Sequence, residues 1–189
     1  MISSENIKNK KSRLGIIGLG YVGLPLAIEF NKLGFEVKGF DVDLKKIESL
    51  NKGVSYIEHI DNEDIAELNS QSEFATSNFK ELSEVEIIFV CVPTPIDKNR
   101  NPFMGHLEDT AKSISSNLKS GHLILIESST YPGTTNELIK PILEESGLKC
   151  HQDFFLAYSP EREDPGNKSF KIDNIPVSYT HLRAHETGW

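Results

Sequence analysis

The chain has 189 residues, room for one good-sized domain or for one domain and part of another. Its 20 basic and 28 acidic residues give a formal charge of −8, which argues against a nucleic-acid or anionic-membrane partner, since both select a basic face. No apolar run is long enough for a transmembrane helix, residues 1–13 lack the apolar centre of a secretory signal, and two cysteines make no disulfide framework, so a reducing cytoplasm is the expected compartment.

In chain order, residues 1–11 read as a loose polar leader. The apolar run Leu14-Gly15-Ile16-Ile17 predicts a short buried strand, followed at once by Gly18-Leu19-Gly20-Tyr21-Val22-Gly23 and by a helical pattern opening at Pro25. A second strand over 35–40 ends in Asp41. In this strand–turn–helix–strand unit Gly18 permits a tight turn, Gly20 lets the backbone approach a pyrophosphate, and Gly23 lets helix and strand pack closely. The helix N-terminus adds N–H groups and a partial positive charge, and Asp41 stands where a carboxylate can accept hydrogen bonds from the adenosine ribose. A glycine-rich turn without a ligand is the alternative. The order of strand, glycines, helix and acid favours the dinucleotide reading.

Further along, 44–50 reads as a short helix stopped near Asn51-Lys52-Gly53, 61–68 as another with Asp61 as its N-cap, and 74–76 as a short strand. Residues 85–92 are almost wholly apolar and β-branched, as a strand covered on both faces should be, and stop at Pro93-Thr94-Pro95. A helix is expected over 107–118, a strand over 122–126, a helix over 134–145 with a Thr134/Glu137 capping box and kinked or shortened at Pro141, and a last strand over 153–158. This alternation predicts an α/β domain, a Rossmann-like doubly wound parallel sheet with helices on both faces.

Ligands of such sheets bind at the carboxyl ends of the strands. Every strong strand here ends in polar or turn-forming residues: the glycine loop, Asp41, Val92-Pro93-Thr94-Pro95, Glu127-Ser128-Ser129-Thr130 and Ser159-Pro160-Glu161-Arg162. These loops are expected to line one crevice. Taken singly, Thr94 could merely end a strand, Thr130 could order its loop, and Glu161 could be a solvated carboxylate. Lys45 and Lys46 suggest a 2′-phosphate site, but Asp41 should repel that phosphate, which favours NAD over NADP. Cys91 reads as a small buried hydrophobe in mid-strand, and the scattered His59, His106, His122 and His151 show no metal-ligand spacing.

Four blocks in order carry a resemblance: residues 18–27, 92–95, 127–135 and 158–167. Over about residues 12–176 the chain resembles the NAD-dependent nucleotide-sugar 6-dehydrogenases, the UDP-glucose/GDP-mannose dehydrogenase family. Its Ser159-Pro160-Glu161-Arg162 block is similar to the branch that oxidises UDP-N-acetylhexosamines such as UDP-N-acetylglucosamine. The second glutamate typical of the UDP-glucose enzymes is replaced by Pro165. The resemblance implies two hydride transfers, from C6 alcohol to aldehyde to uronate, with two NAD+ and a cysteine-bound intermediate. It implies that Gly18, Gly20, Tyr21, Val22 and Gly23 hold the pyrophosphate, Asp41 the ribose, and Thr94 and Thr130 the nicotinamide half. Thr130 and Glu161 are implied to position or activate a water, a role a carboxylate can fill as general base. It also implies a UDP-sugar substrate and a homodimer or higher homo-oligomer for the full-length enzyme.

Residues 177–189 depart from the family and read as a non-native tail, so 12–176 is the expected cofactor domain, inactive without the central and sugar-binding domains. A stand-alone NAD-binding module or sensor is the competing, non-catalytic reading. A different two-domain dehydrogenase is a third, disfavoured by the combination of Thr94, Thr130 and Glu161.

Overall fold

The computed structural model describes residues 3–70, 72–96 and 102–159. Glu161 and the tail over 177–189 lie outside the described residues. Six strands, β1 (Leu14–Ile17), β2 (Val37–Phe40), β3 (Ala75–Thr76), β4 (Ile87–Val90), β5 (Leu123–Ile126) and β6 (Phe155–Tyr158), form one parallel sheet in the order β3-β2-β1-β4-β5-β6. The winding direction reverses at β1, between β2 and β4, which is where ligands of such sheets bind.

The alternation along each strand builds two cores. Leu14 and Ile16 of β1 and Ile87 and Phe89 of β4 enter one, with α2 (Gly23–Lys32), α3 (Leu44–Asn51) and α4 (Asn62–Leu68) covering it through Leu24, Ala27, Leu50, Ile65 and Leu68. Ile17, Ile88 and Val90 enter the other, covered by α5 (Gly105–Ser115) and α6 (Lys140–Glu144) through Leu107, Ala111, Ile114 and Leu143. The sheet is thus covered on both faces, which explains why its central strands read as continuous apolar runs. Burial of these side chains is the main stabilising term of the domain.

Two local expectations are corrected. Within the stretch read as a loose leader, Ser4–Lys8 forms a short helix, α1, with Ser3 Oγ accepting from Asn6 N–H at 3.1 Å and Ile7 packed on the first core. The Thr134/Glu137 capping box does not form. Thr134 Oγ1 donates to the Tyr131 carbonyl at 2.8 Å, and Thr134–Ile139 is a wide π-helical turn that runs into α6. Pro141 supplies the reason: it has no N–H for a bond four residues back and its ring would strike that carbonyl, so it is accommodated in the first turn of α6, and the regular α-helix is shortened to Lys140–Glu144. Asp61 does occupy the N-cap of α4 but makes no side-chain capping bond.

Phe79–Glu84 forms a 3-10 turn that buries Leu82 just before β4. No helix among the described residues is long and apolar enough to cross a membrane.

Candidate functional site

The loops after β1, β2, β4 and β5 converge on a crevice of about 660 Å3 at the carboxyl edge of the sheet. Of the residues singled out from sequence, Gly18, Gly20, Tyr21, Val22, Asp41 and Thr94 line it. On the β5 side the lining runs through Glu127, Ser128 and Ser129, and half-buried Thr130 follows just beyond. Gly23 sits behind the loop, at the start of α2.

The glycine loop follows from steric space. Gly18 has φ +90°, and a Cβ there would lie 2.7 Å from the Cys91 carbonyl oxygen. A Cβ on Gly23 would overlap the Gly18 carbonyl oxygen. At Gly20 a Cβ would meet nothing within 4 Å, because that position faces the open crevice. Among the described residues the N–H groups of Gly20, Tyr21 and Val22 donate to no protein acceptor, and α2 begins directly behind them. Such an arrangement can receive a diphosphate.

Asp41 is only 7% exposed. Its Oδ2 accepts from Leu19 N–H at 2.9 Å and its Oδ1 from Asp43 N–H at 2.9 Å, while Lys46 Nζ approaches Oδ2 at 3.3 Å. Lys46 therefore answers the Asp41 charge rather than standing as a free receptor for a 2′-phosphate. Tyr56 donates its hydroxyl to the Leu19 carbonyl, and burial together with the charges of Asp41 and Asp43 pushes its phenol up, keeping it protonated.

The opposite wall is tied together across strand ends. Thr94 Oγ1 donates to the Ser129 carbonyl at 2.7 Å, and buried Ser128 directs its Oγ to the Val92 carbonyl at 2.7 Å. Cys91 is buried as expected, but it lies just past β4 rather than within it: its N–H donates to the Ile17 carbonyl at 2.8 Å and the residue floors the crevice. His106, Asp109, Thr110 and Ser113 of α5, together with Phe79, complete the lining. Sequence reasoning missed these. The signal was present for α5, where polar residues recur at one helical face, but Phe79 belongs to a turn too short to show a period.

The other histidines are structural or peripheral. His59 is exposed and stacks against Tyr21 with ring centroids 6.2 Å apart, and His122 is buried before β5 with its pKa pushed down to about 4, chiefly by burial and then by the Lys119 charge. Among the described residues no group of three or more His, Cys, Asp or Glu could hold a metal ion. A second hollow of about 460 Å3 lies at the opposite edge of the sheet, where Arg13 pairs with Glu36 and Lys38 with Glu81.

A sheet wound in this order, with a glycine loop opening into a helix at the winding reversal and a buried acid after β2, defines a dinucleotide-binding domain. Residues 12–177 match the profile of the UDP-glucose/GDP-mannose dehydrogenase family, NAD binding domain, and the chain belongs to that family. It is 41% identical over 168 residues to the UDP-N-acetyl-D-glucosamine 6-dehydrogenase of Pseudomonas aeruginosa, covering 88% of this chain and 39% of the relative. Among solved structures it is similar to a ternary complex of GDP-mannose dehydrogenase from Pseudomonas aeruginosa, with TM-score 0.75 and 32% identity over 79% of this chain and 36% of that one. It is likewise similar to the UDP-D-ManNAc dehydrogenase of Pyrococcus horikoshii, with TM-score 0.75 and 34% identity over 82% of this chain and 37% of that one. The chain therefore spans about two fifths of the length of the curated relatives it matches.

Proposed function

We propose that this chain is the cofactor-binding part of a cytoplasmic nucleotide-sugar 6-dehydrogenase that oxidises the C6 alcohol of a UDP-N-acetylhexosamine, UDP-N-acetylglucosamine, to the uronate with two NAD+. The glycine loop and the start of α2 receive the pyrophosphate, Asp41 the adenosine ribose, and the Thr94 and Thr130 loops the nicotinamide half. Thr130 and Glu161 position the water that releases the product. NAD supplies the hydride acceptor. The chain's own residues bind it, orient it and wall it from solvent.

The observation that carries this reading is the contrast within the glycine loop: side chains at Gly18 and Gly23 would strike backbone, whereas Gly20 faces unoccupied space beside Asp41. Neither cysteine suits the covalent step. Cys91 floors the crevice beneath the glycine loop, and burial pushes the Cys150 thiol up, away from the reactive thiolate. On this reading the 189 residues bind cofactor but do not turn over, and the complete enzyme works as a homo-oligomer.

The test is a calorimetric titration of the 189-residue chain with NAD+ and NADP+, with Asp41→Ala alongside. Saturable NAD+ binding, much weaker NADP+ binding and at least a tenfold loss in the variant are expected. A folded chain that takes neither nucleotide would overturn the cofactor assignment. Sugar choice is read separately on the product of the complete reading frame: about two NADH per UDP-N-acetylglucosamine, with UDP-glucose a poor substrate, is expected. The reverse preference overturns the branch.

A further inference from the structure

Leu19 is held from both sides. Its N–H is bound by Asp41 Oδ2 at 2.9 Å and its carbonyl by the Tyr56 hydroxyl, 37 positions away in the chain. Lys46 closes the circuit, with Nζ 3.3 Å from Asp41 Oδ2 and 5.9 Å from the centre of the Tyr56 ring. Leu19 itself is fully buried, and neither it nor Tyr56 lines the crevice, so the Tyr56 hydrogen bond holds the glycine loop from behind.

The Leu19 carbonyl and the Gly20 N–H belong to one rigid peptide plane. Rotating that plane changes ψ of Leu19 and φ of Gly20, and glycine accepts φ of either sign, so the loop's own sequence leaves the plane free to flip. The Tyr56 hydrogen bond fixes the carbonyl and thereby the direction of the Gly20 N–H on the opposite side of the plane, at a residue that lines the crevice. We propose that Tyr56 is a positioning residue for the cofactor, acting through the Leu19–Gly20 peptide to aim the Gly20 N–H at the pyrophosphate. This rests on the reading of the crevice as the NAD site.

The test compares the 189-residue chain with Tyr56→Phe, which removes one oxygen and keeps the ring. First, amide NMR without ligand: the Gly20 signal is expected to be single and sharp in the parent and broadened or split in the variant, with Ile16 and Ile88 unchanged. A Gly20 amide untouched by the substitution overturns the proposal whether or not the chain binds nucleotide. Second, titration with ADP-ribose and with adenosine: affinity for ADP-ribose is expected to fall about five- to tenfold, the worth of one hydrogen bond, with adenosine affinity changed by less than about twofold. Equal losses for both ligands, or none for ADP-ribose, overturn it. A parent chain that binds no ADP-ribose while Gly20 still responds to the substitution sinks the cofactor reading and leaves the peptide clamp standing.

Discussion

The carbonyl oxygen of Gly18 occupies the space that a side chain on Gly23 would need. Helix α2 can approach β1 this closely only because position 23 has no Cβ. Gly23→Ala and Gly18→Ala should each lower stability by about 2 kcal/mol or more, the first by overlap and the second by strain at φ +90° against the Cys91 carbonyl. Gly20→Ala should unfold like the parent and yet bind NAD+ at least about tenfold more weakly, because the added methyl projects into the ligand's space. Thermal unfolding and calorimetry on the three variants separate the outcomes. A Gly20 variant as unstable as the other two would contradict the steric account.

Asp41 has both oxygens committed to backbone N–H groups. Asparagine can accept at only one of them and would turn an NH2 toward a donor, so Asp41→Asn should cost about 2 kcal/mol. Lys46→Met removes only the partly exposed partner of the pair and should cost under about 1 kcal/mol. Urea midpoints rank the two variants, and the reverse ranking would show that the ion pair, not the backbone bonds, governs this corner.

Asn51 stands where a further strand would. Its Nδ2 donates to the Ala75 carbonyl at 2.8 Å and its Oδ1 accepts from Ala75 N–H at 2.9 Å, so the two-residue edge strand β3 is paired with β2 on one side and with this side chain on the other. Asn51→Ala leaves both groups of buried Ala75 unanswered, with an expected loss of about 2–3 kcal/mol. Hydrogen exchange at the Ala75 amide should accelerate more than at Ile88. Uniform acceleration would mean that Asn51 supports the whole fold rather than this edge.

His122 makes the domain acid-sensitive. Its folded pKa, about 4, is below the ordinary 6.5, so between those values the unfolded chain takes up a proton that the folded chain refuses. Stability therefore falls as pH drops through that window, by about 2 kcal/mol at pH 5 from this residue alone, and the effect is absent above pH 7. His122→Gln should show a correspondingly smaller decline between pH 7 and pH 5 in urea unfolding, since the titrating carboxylates are common to both proteins. Parallel declines would place the acid sensitivity elsewhere.

Strand β4 was legible because β-branched residues buried on both faces have few other uses, as in Ile87–Val90. The crevice was legible because strand ends and glycines mark it. What escaped is of another kind. Tyr56 acts on a backbone carbonyl, and such a partner leaves no trace in side-chain pattern. Asn51 read correctly as a helix terminator, but its pairing with β3 depends on where the chain returns 24 residues later. The helix at Ser4–Lys8 is too short for a period and is held by the Ser3 cap and by Ile7 docking on the core. At Thr134 the box pattern was present, yet Pro141 downstream reshaped the turn.

Among the described residues the sheet is the wall between two separate cores, and the crevice runs along its upper rim. Tyr21, Asp41 and Lys46 are anchored in the half built on the first core, Ser128 and the α5 face in the half built on the second. On the proposed cofactor assignment, a dinucleotide lying along that rim would act as a splint across the seam, because neither half could open without releasing one end of it. Saturating NAD+ should accordingly delay the unfolding of both halves together, in one sharper transition, rather than shelter only the loop that grips its phosphates.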